Sequence, residues 1–314
     1  MTILVTGATG FLGGHLIRLL VERGEDVRAL VRHQTGDAGL VNLGVEVVRG
    51  EVGDRDSVRR AAADCGVVFH LAGLVSHERP DEDRLWAINV EGARAVVAAL
   101  EPGARIVHVS SITALGPAPA VDRPVDETSP FPAFAARFPY AASKHAGEQV
   151  VLEGSDDAVI ANPGFLLGPG DRYRVSTWPV YRYLKGKLRL TTRGGLSFCD
   201  ARDVAAGLLL LAERGRARER YVLTAEEGNL THAQFFRRVA DVTGVRHRMI
   251  PVPVGLAVAT TSLLHWPVKP GEARAATQWW FGTPAKAERE LGFVTRPLDA
   301  TIADTAADRT AAAT

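Results

Sequence analysis

The chain has 314 residues, of which 46% are hydrophobic and 23% are charged, and its formal net charge is +1. This composition is typical of a soluble globular protein with a large apolar core, and the balanced charge argues against nucleic acid or an anionic membrane as the main partner. The two cysteines, Cys65 and Cys199, form neither a disulfide framework nor a C-x-x-C pair, which suits a reducing cytoplasm.

Apolar, β-rich segments alternate with helical ones through the first half of the chain. The predicted strands are residues 3–5, 27–31, 45–48, 67–71, 106–109 and 158–161. The helices predicted between them include residues 57–63, 85–100 and 141–152. Nearly continuous apolar strands separated by helices indicate parallel strands that are buried on both faces. With right-handed crossovers, these elements predict an α/β fold built on a doubly wound parallel Rossmann sheet.

The second half is less regular, because Gly and Pro residues separate shorter elements. Residues 198–215 predict a short strand followed by a helix that is capped near Asp200 and stopped at Gly215. Residues 221–223 predict another strand. The longest later apolar stretch, residues 252–266, is shorter than the roughly 20 residues that a membrane-spanning helix needs, so we expect a buried or pocket-lining helix there.

A glycine-rich turn, TGATGFLGG, follows the first predicted strand and spans residues 6–14. Gly7, Gly10 and Gly13 recur at three-residue spacing just before an apolar helical pattern. Such a turn brings backbone N–H groups and the positive end of a helix to one point, where a pyrophosphate can bind. A tight turn without a ligand is the alternative, but the position at the start of a βαβ series favours a dinucleotide.

Five motifs in the same order resemble those of extended short-chain dehydrogenases/reductases, and the resemblance covers nearly the whole chain. They are TGATGFLGG, RGEVGDRDSV, FHLAG, HVSSITALG and YAASK. The sequence departs from the family pattern at Glu51, in place of an Asp beside the adenine, and at Leu115, in place of a Tyr. The resemblance implies a nicotinamide dinucleotide held by Gly7, Thr9, Gly10, Phe11, Leu12, Gly13, Arg32, Glu51, Val52, Leu71, Ala72, Gly73, Tyr140, Lys144 and Pro163.

The end of the second strand bears on the choice of cofactor. An acidic residue there would bind a ribose 2′-hydroxyl and repel a 2′-phosphate. Val31 occupies that position and Arg32 follows it. A guanidinium is permanently charged and suits a phosphate, although a solvated surface arginine is the simpler explanation of Arg32 taken alone. The missing acid and the arginine together favour NADP(H) over NAD(H).

The resemblance assigns catalysis to Ser111, Tyr140 and Lys144. Tyr140 and Lys144 are four residues apart in a helical segment and therefore share one face. A free phenol has a pKa of about 10. We expect the Lys144 ammonium and the positive nicotinamide to lower the pKa of Tyr140, which then exchanges a proton with the substrate oxygen. Ser111, rather than its neighbour Ser110, stabilises the charge that develops on that oxygen.

Other polar residues have weaker assignments. Asn89 occurs where the family often has an Asn on its fourth helix, and it is either structural or part of a proton relay. The histidines His15, His70, His108 and His145 have no metal-ligand spacing, so we predict no metal site and expect them to be packed or exposed bystanders.

The motifs favour a reductase over two alternatives. Dehydratases of the family carry Asp-Glu after the catalytic Ser or Thr, whereas Ile112 and Thr113 follow Ser111. Epimerases show R-x-x-N-x-x-G after the sixth strand, whereas Asn162 and Phe165 stand at the Arg and Asn places here. The segment instead resembles the dihydroflavonol reductase and cinnamoyl-CoA reductase branch. A nucleotide-sugar epimerase with tightly bound NAD, and a non-catalytic NADP(H) sensor, remain the alternatives.

These interpretations predict the organisation of the protein. Residues 1–163, completed by residues 196–224, form an NADP(H)-binding domain, and residues 164–195 with 225–314 form a smaller C-terminal domain that binds the substrate. The expected substrate is a small lipophilic or aromatic ketone or aldehyde, or the alcohol in the reverse direction. Because the N-terminus has no signal-peptide pattern, we expect a cytoplasmic protein without a membrane partner, and a homodimer is a further expectation.

Overall fold

A computed structural model describes residues 1–32, 38–172, 174–253, 255–256, 259 and 268–308. The strands in chain order are β1 (Thr2–Thr6), β2 (Val27–Val31), β3 (Glu46–Arg49), β4 (Cys65–His70), β5 (Arg105–Val109), β6 (Ala158–Pro163), β7 (Phe165–Leu167), β8 (Leu190–Thr191), β9 (Gly195–Asp200), β10 (Glu219–Leu223), β11 (Asn229–Thr231), β12 (Ile250–Pro251) and β13 (Trp279–Trp280). The helices are α1 (Phe11–Glu22), α2 (Ala38–Asn42), α3 (Arg55–Ala62), α4 (Glu82–Trp86), α5 (Gly92–Ala98), α6 (Pro139–Gly154), α7 (Trp178–Leu184), α8 (Ala201–Arg214), α9 (His232–Thr243), α10 (Pro270–Ala275), α11 (Ala285–Leu291) and α12 (Leu298–Ala307).

The main sheet has seven parallel strands in the order β10-β6-β5-β4-β1-β2-β3. Apolar residues of α1 and α8 pack on one face, and apolar residues of α3, α5 and α6 pack on the other. The strand order reverses at β1, so crossovers leave in opposite directions and open a crevice at the carboxyl ends of β1 and β4. The predicted doubly wound Rossmann fold is therefore confirmed.

A smaller set of strands follows β6 and lies outside the main sheet. Strands β11, β9 and β13 are hydrogen-bonded in that order, β7 pairs with β9, and β8 pairs with β12. An aromatic cluster that includes Tyr183, Phe198, Phe235 and Phe236 packs with these strands. The helix predicted after Asp200 is present as α8, and its first turn is capped because the Asp200 side chain accepts a hydrogen bond from the Arg202 N–H.

Two predictions for the helices are corrected or left open. The helix predicted at residues 85–100 is α4, a π-helical segment (Ala87–Glu91) and α5 in succession, and the wider π turn carries Asn89. The apolar stretch at residues 252–266 lies largely outside the described residues. Within the described part of the chain, no helix has the length and apolar character that crossing a membrane requires.

Candidate active site

The glycine turn after β1 is closed by contacts that leave no room for side chains. Gly7 has a φ of +73°, and its carbonyl accepts a hydrogen bond from the Gly10 N–H at 3.0 Å. A Cβ at Gly13 would lie 2.2 Å from the Gly7 oxygen, and one at Gly7 would lie 2.8 Å from the Ala72 nitrogen. Gly10 is exposed at the start of α1. The turn therefore presents bare backbone and a helix N-terminus to the crevice, which fits the pyrophosphate of a dinucleotide.

Ser111, Tyr140 and Lys144 meet at the carboxyl end of β5. Helix α6 begins at Pro139, a residue suited to a first helical turn, so Tyr140 and Lys144 lie one turn apart on the face that meets β5. The Lys144 ammonium donates to the Val109 carbonyl at 2.8 Å. The Ser111 side chain lies close enough to Tyr140 to affect its pKa, and its hydroxyl accepts from the Thr113 hydroxyl at 3.0 Å.

The protonation of this trio differs from the expectation. Burial raises the pKa of Tyr140 to about 12, and the neighbouring Ser111 hydroxyl opposes this rise without cancelling it. Burial lowers the pKa of Lys144 to about 8, against the opposing effect of the Glu148 carboxylate. The protein groups alone therefore do not lower the pKa of Tyr140, because loss of hydration outweighs them. At neutral pH the phenol holds its proton and is suited to donate it.

Asn89 of the π-helical segment and His77 of the loop after β4 complete the surroundings of Tyr140 and Lys144. The Asn89 side chain donates to the Leu74 carbonyl and the Ser143 hydroxyl, both at 3.0 Å, and accepts from the Leu74 N–H at 2.8 Å. These hydrogen bonds use the Asn89 amide to join the loop after β4 to α6. They favour a structural role for Asn89 over a role in a proton relay. The His77 ring lies edge-on to Tyr140 with centroids 5.6 Å apart, and burial lowers the pKa of His77 to about 4. No sequence motif pointed to His77.

A cavity of about 530 Å³ extends from the glycine turn past Tyr140 into the second half of the chain. Its far part is lined mainly by apolar side chains, among them Phe165, Val175, Trp178, Val180, Leu188, Leu190, Leu196, Phe198, Phe235, Phe236 and Trp280. Among the lining residues that the structure describes, Lys144 and Glu272 alone carry a charge. Burial raises the pKa of Glu272, one of whose oxygens accepts from the Lys269 N–H at the start of α10.

The predicted cofactor residues divide into two groups. Those that line the cavity are Gly7, Gly10, Phe11, Leu12, Gly13, Leu71, Gly73, Tyr140, Lys144 and Pro163. Those outside it are Thr9, Arg32, Glu51, Val52 and Ala72. Arg32 follows β2 and Glu51 follows β3, two adjacent parallel strands, so both lie at the same edge of the sheet as the glycine turn. Both are exposed, and Arg32 has no carboxylate partner within the described part of the chain.

The histidines make local contacts. The rings of His70 and His108 lie against each other at an angle of 35° with centroids 5.1 Å apart, and the His70 Nδ1 is 2.7 Å from the Thr6 hydroxyl. Burial lowers the pKa of His70 to about 3 and lowers the pKa of His108 well below its usual value. His15 and His145 bond the backbone carbonyls of residues 169 and 114. In the ranges covered by the structure, no three His, Cys, Asp or Glu residues are grouped to hold a metal.

A glycine turn at the switch point of a Rossmann sheet, beside a Ser-Tyr-Lys trio, defines an NAD(P)-dependent oxidoreductase. The sequence model of the NAD dependent epimerase/dehydratase family matches residues 3–224 of this chain. The chain belongs to this family and therefore to the extended short-chain dehydrogenases/reductases, as its motifs predicted.

Similar proteins span nearly the whole chain. Sterol demethylase protein B of Methylococcus capsulatus is 33% identical over 98% of this chain and 98% of its own length. The putative dihydroflavonol 4-reductase of Synechocystis sp. is 31% identical over 96% and 92%. The 4-hydroxy-2-methyl-3-oxo-4-farnesyl-3,4-dihydroquinoline-1-oxide ketoreductase of Stigmatella aurantiaca is 31% identical over 94% and 92%. The crystal structure of gox2253 matches with a TM-score of 0.83 and 30% identity, over 97% of this chain and 96% of that one.

Proposed function

We propose that the protein is an NADP(H)-dependent reductase of a ketone or aldehyde on an uncharged lipophilic molecule, or catalyses the reverse oxidation. One observation carries the proposal: Ser111, Tyr140 and Lys144 open into a cavity whose far part is lined mainly by apolar side chains. A lipophilic substrate gains about 25 cal/mol for each Å² of apolar surface that it buries there. The names of two similar proteins, a sterol demethylase protein and a ketoreductase of a farnesyl compound, agree with this class of substrate.

The residues of the trio divide the work. When bound, the nicotinamide supplies or accepts a hydride. Ser111 donates a hydrogen bond to the carbonyl oxygen of the substrate, and Tyr140 gives that oxygen its proton. Lys144 binds the ribose hydroxyls and favours the tyrosinate that remains. Gly73 lets the loop after β4 lie close to Asn89, because a Cβ at residue 73 would be 3.3 Å from the Asn89 side-chain oxygen.

The charges of the cavity argue against a nucleotide sugar. A diphosphate needs cations or a row of N–H donors, and beyond Lys144 no cation occurs among the described lining residues. Glu272 adds a negative charge that disfavours any anionic substrate. Phe165, at the place of the Asn of the epimerase motif, packs edge-on against Phe198 with centroids 5.7 Å apart.

The preference for NADP(H) rests on Arg32. Its exposed guanidinium has no carboxylate partner among the described residues and is free to bind a 2′-phosphate. Val31 is buried and leaves no acid at the end of β2 to bind a 2′-hydroxyl. The remaining adenosine contacts are proposed for Thr9, Glu51, Val52 and Ala72.

The test incubates the protein with NADPH and a panel of long-chain and aromatic ketones and aldehydes, beside UDP- and dTDP-sugars. Loss of the reduced nicotinamide absorbance with a lipophilic carbonyl compound supports the proposal. Conversion of a nucleotide sugar alone, without a net change in absorbance, would establish the epimerase instead. Tight NADPH binding without turnover of any panel member would favour the sensor.

The proposed division of the chain into two domains, and the proposed homodimer, need separate measurements. The cofactor domain comprises residues 1–163 and 196–224, and the substrate domain comprises residues 164–195 and 225–314. Hydrogen exchange with and without NADPH tests this division, because protection should increase mainly in the first set. Analytical ultracentrifugation tests the proposed homodimer.

A further inference from the structure

Glu148 is a buried carboxylate one helical turn after Lys144 on α6. Its side chain is fully buried, and both of its oxygens accept hydrogen bonds. One oxygen accepts from the Asn162 amide at 2.5 Å, and the other accepts from the Arg220 Nε at 2.8 Å. A buried carboxylate is strongly destabilising unless it is paired and hydrogen bonded, and Arg220 supplies the pairing charge.

Asn162 links this ion pair to the catalytic serine. Its amide nitrogen also donates to the backbone carbonyl of Ser111 at 3.0 Å. Strands β6 and β10 are in parallel register, with Ile160 opposite Arg220 and Asn162 opposite Val222. Side chains two residues apart on adjacent strands leave the same face of a sheet, so Arg220 and Asn162 reach Glu148 side by side.

Glu148 also faces Lys144 from the same helix. The other titratable groups around that ammonium are Tyr140 on α6, His70 on β4 and His108 on β5, and both histidines are neutral because burial lowers their pKa values. Glu148 is thus the negative charge that raises the pKa of Lys144 against the effect of burial. One carboxylate is connected to two members of the trio, to Ser111 through Asn162 and to Lys144 through its charge.

We propose that Glu148, Asn162 and Arg220 form a positioning unit behind the catalytic trio, which holds the Ser111 backbone and places a buried carboxylate one helical turn from Lys144. Arg220 pairs with the Glu148 carboxylate from β10, and Asn162 links that carboxylate to the backbone carbonyl of Ser111 at the end of β5. The catalytic roles of Ser111 and Lys144 rest on the proposed function. The geometry and the charge of the positioning unit can be tested without knowing which reaction the protein catalyses.

The first experiment measures NADPH affinity against pH by fluorescence titration, which needs no substrate. In the wild type, affinity should fall as Lys144 loses its proton, near pH 8. Glu148→Gln keeps the size of the side chain and one of the two accepting oxygens but removes the charge, so this fall should move down by about one pH unit. The control is Glu127→Gln, because Glu127 is a half-buried carboxylate that bonds the Val222 N–H and has no bond to Asn162. Its pH dependence should match the wild type.

The second experiment removes and then restores the positive charge at residue 220. Arg220→Asn should lower the thermal midpoint and reduce kcat/KM for the ketone substrate by at least about tenfold, since it leaves Glu148 buried without its cation. Arg220→Lys keeps a cation on β10 and leaves Asn162 and its bond to the Ser111 carbonyl unchanged, so it should avoid most of both losses. This pair of variants also tests the proposal if Glu148→Gln does not fold.

The outcomes are separable from those of the reductase assignment. An unshifted pH profile in Glu148→Gln, or an Arg220→Lys variant as impaired as Arg220→Asn, would overturn the positioning unit. A shifted pH profile of NADPH affinity, together with near wild-type stability in Arg220→Lys, would support it even if the panel identified a different reaction.

Discussion

Gly13 offers the sharpest test of the glycine turn. A Cβ there would lie 2.2 Å from the Gly7 oxygen and 2.9 Å from the Ala8 Cα, and both are backbone atoms that cannot rotate away. Contact near 3.5 Å requires the start of α1 to move by roughly 1 Å. Gly13→Ala should therefore lower the free energy of unfolding by about 1–3 kcal/mol, the usual effect of overpacking. The same displacement opens the turn, so NADPH affinity should fall by at least about tenfold, or 1.4 kcal/mol.

The matched control is the next residue. A Cβ at Gly14 would meet nothing within 4 Å. Gly14→Ala should raise the free energy of unfolding by about 0.5–1 kcal/mol, because alanine loses less backbone entropy in a helix. Its NADPH affinity should equal that of the wild type. Urea denaturation and fluorescence titration measure the two quantities. Equal stability and equal affinity in the two variants would refute the view that the turn is closed by backbone contact.

Three further predictions concern the active site. Tyr140→Phe should retain NADPH affinity while kcat falls by roughly 10²–10⁴-fold, the usual contribution of general acid–base catalysis, and an undiminished steady-state rate would assign the proton to another group. Arg32→Ala should remove most of a several-fold preference for NADPH over NADH, which paired titrations measure, and equal affinities in the wild type would contradict it. Glu272→Gln preserves the capping interaction of α10, since Gln also serves in a capping box. The ratio of kcat/KM for a carboxylate-bearing ketone to kcat/KM for its methyl ester should rise by about tenfold in this variant. An unchanged ratio would show that Glu272 does not select against anionic substrates.

The strands of the first half could be predicted because each one leaves a signal within its own short segment of sequence. A parallel strand buried on both faces needs a continuous apolar run, and all six predicted strands lie within two residues of their observed bounds. The short strands of the second half gave no such signal. Strands β8, β12 and β13 have two residues each, too few for any periodicity. The break in the helix at residues 85–100 was equally hidden, since a π turn keeps an apolar helical pattern.

The active-site residues that belong to sequence motifs could be predicted. The structure brings Ser111, Tyr140 and Lys144 together as the motifs implied. The raised pKa of Tyr140 depends on burial, which spacing alone does not reveal. The contact between Glu148 and Arg220 joins residues 72 positions apart and arises from the register of β6 and β10, so it could not be read from either segment.

The most direct test follows the hydride itself. NADPH deuterated at the transferred position is incubated with the protein and a lipophilic ketone that consumes the cofactor, and the product is analysed by mass spectrometry. The account predicts an alcohol with one deuterium on the former carbonyl carbon, formed in equal amount to the NADP⁺ released. Tyr140→Phe should slow the formation of this alcohol by at least about 100-fold. An unlabelled product, or one formed without net oxidation of NADPH, would contradict it.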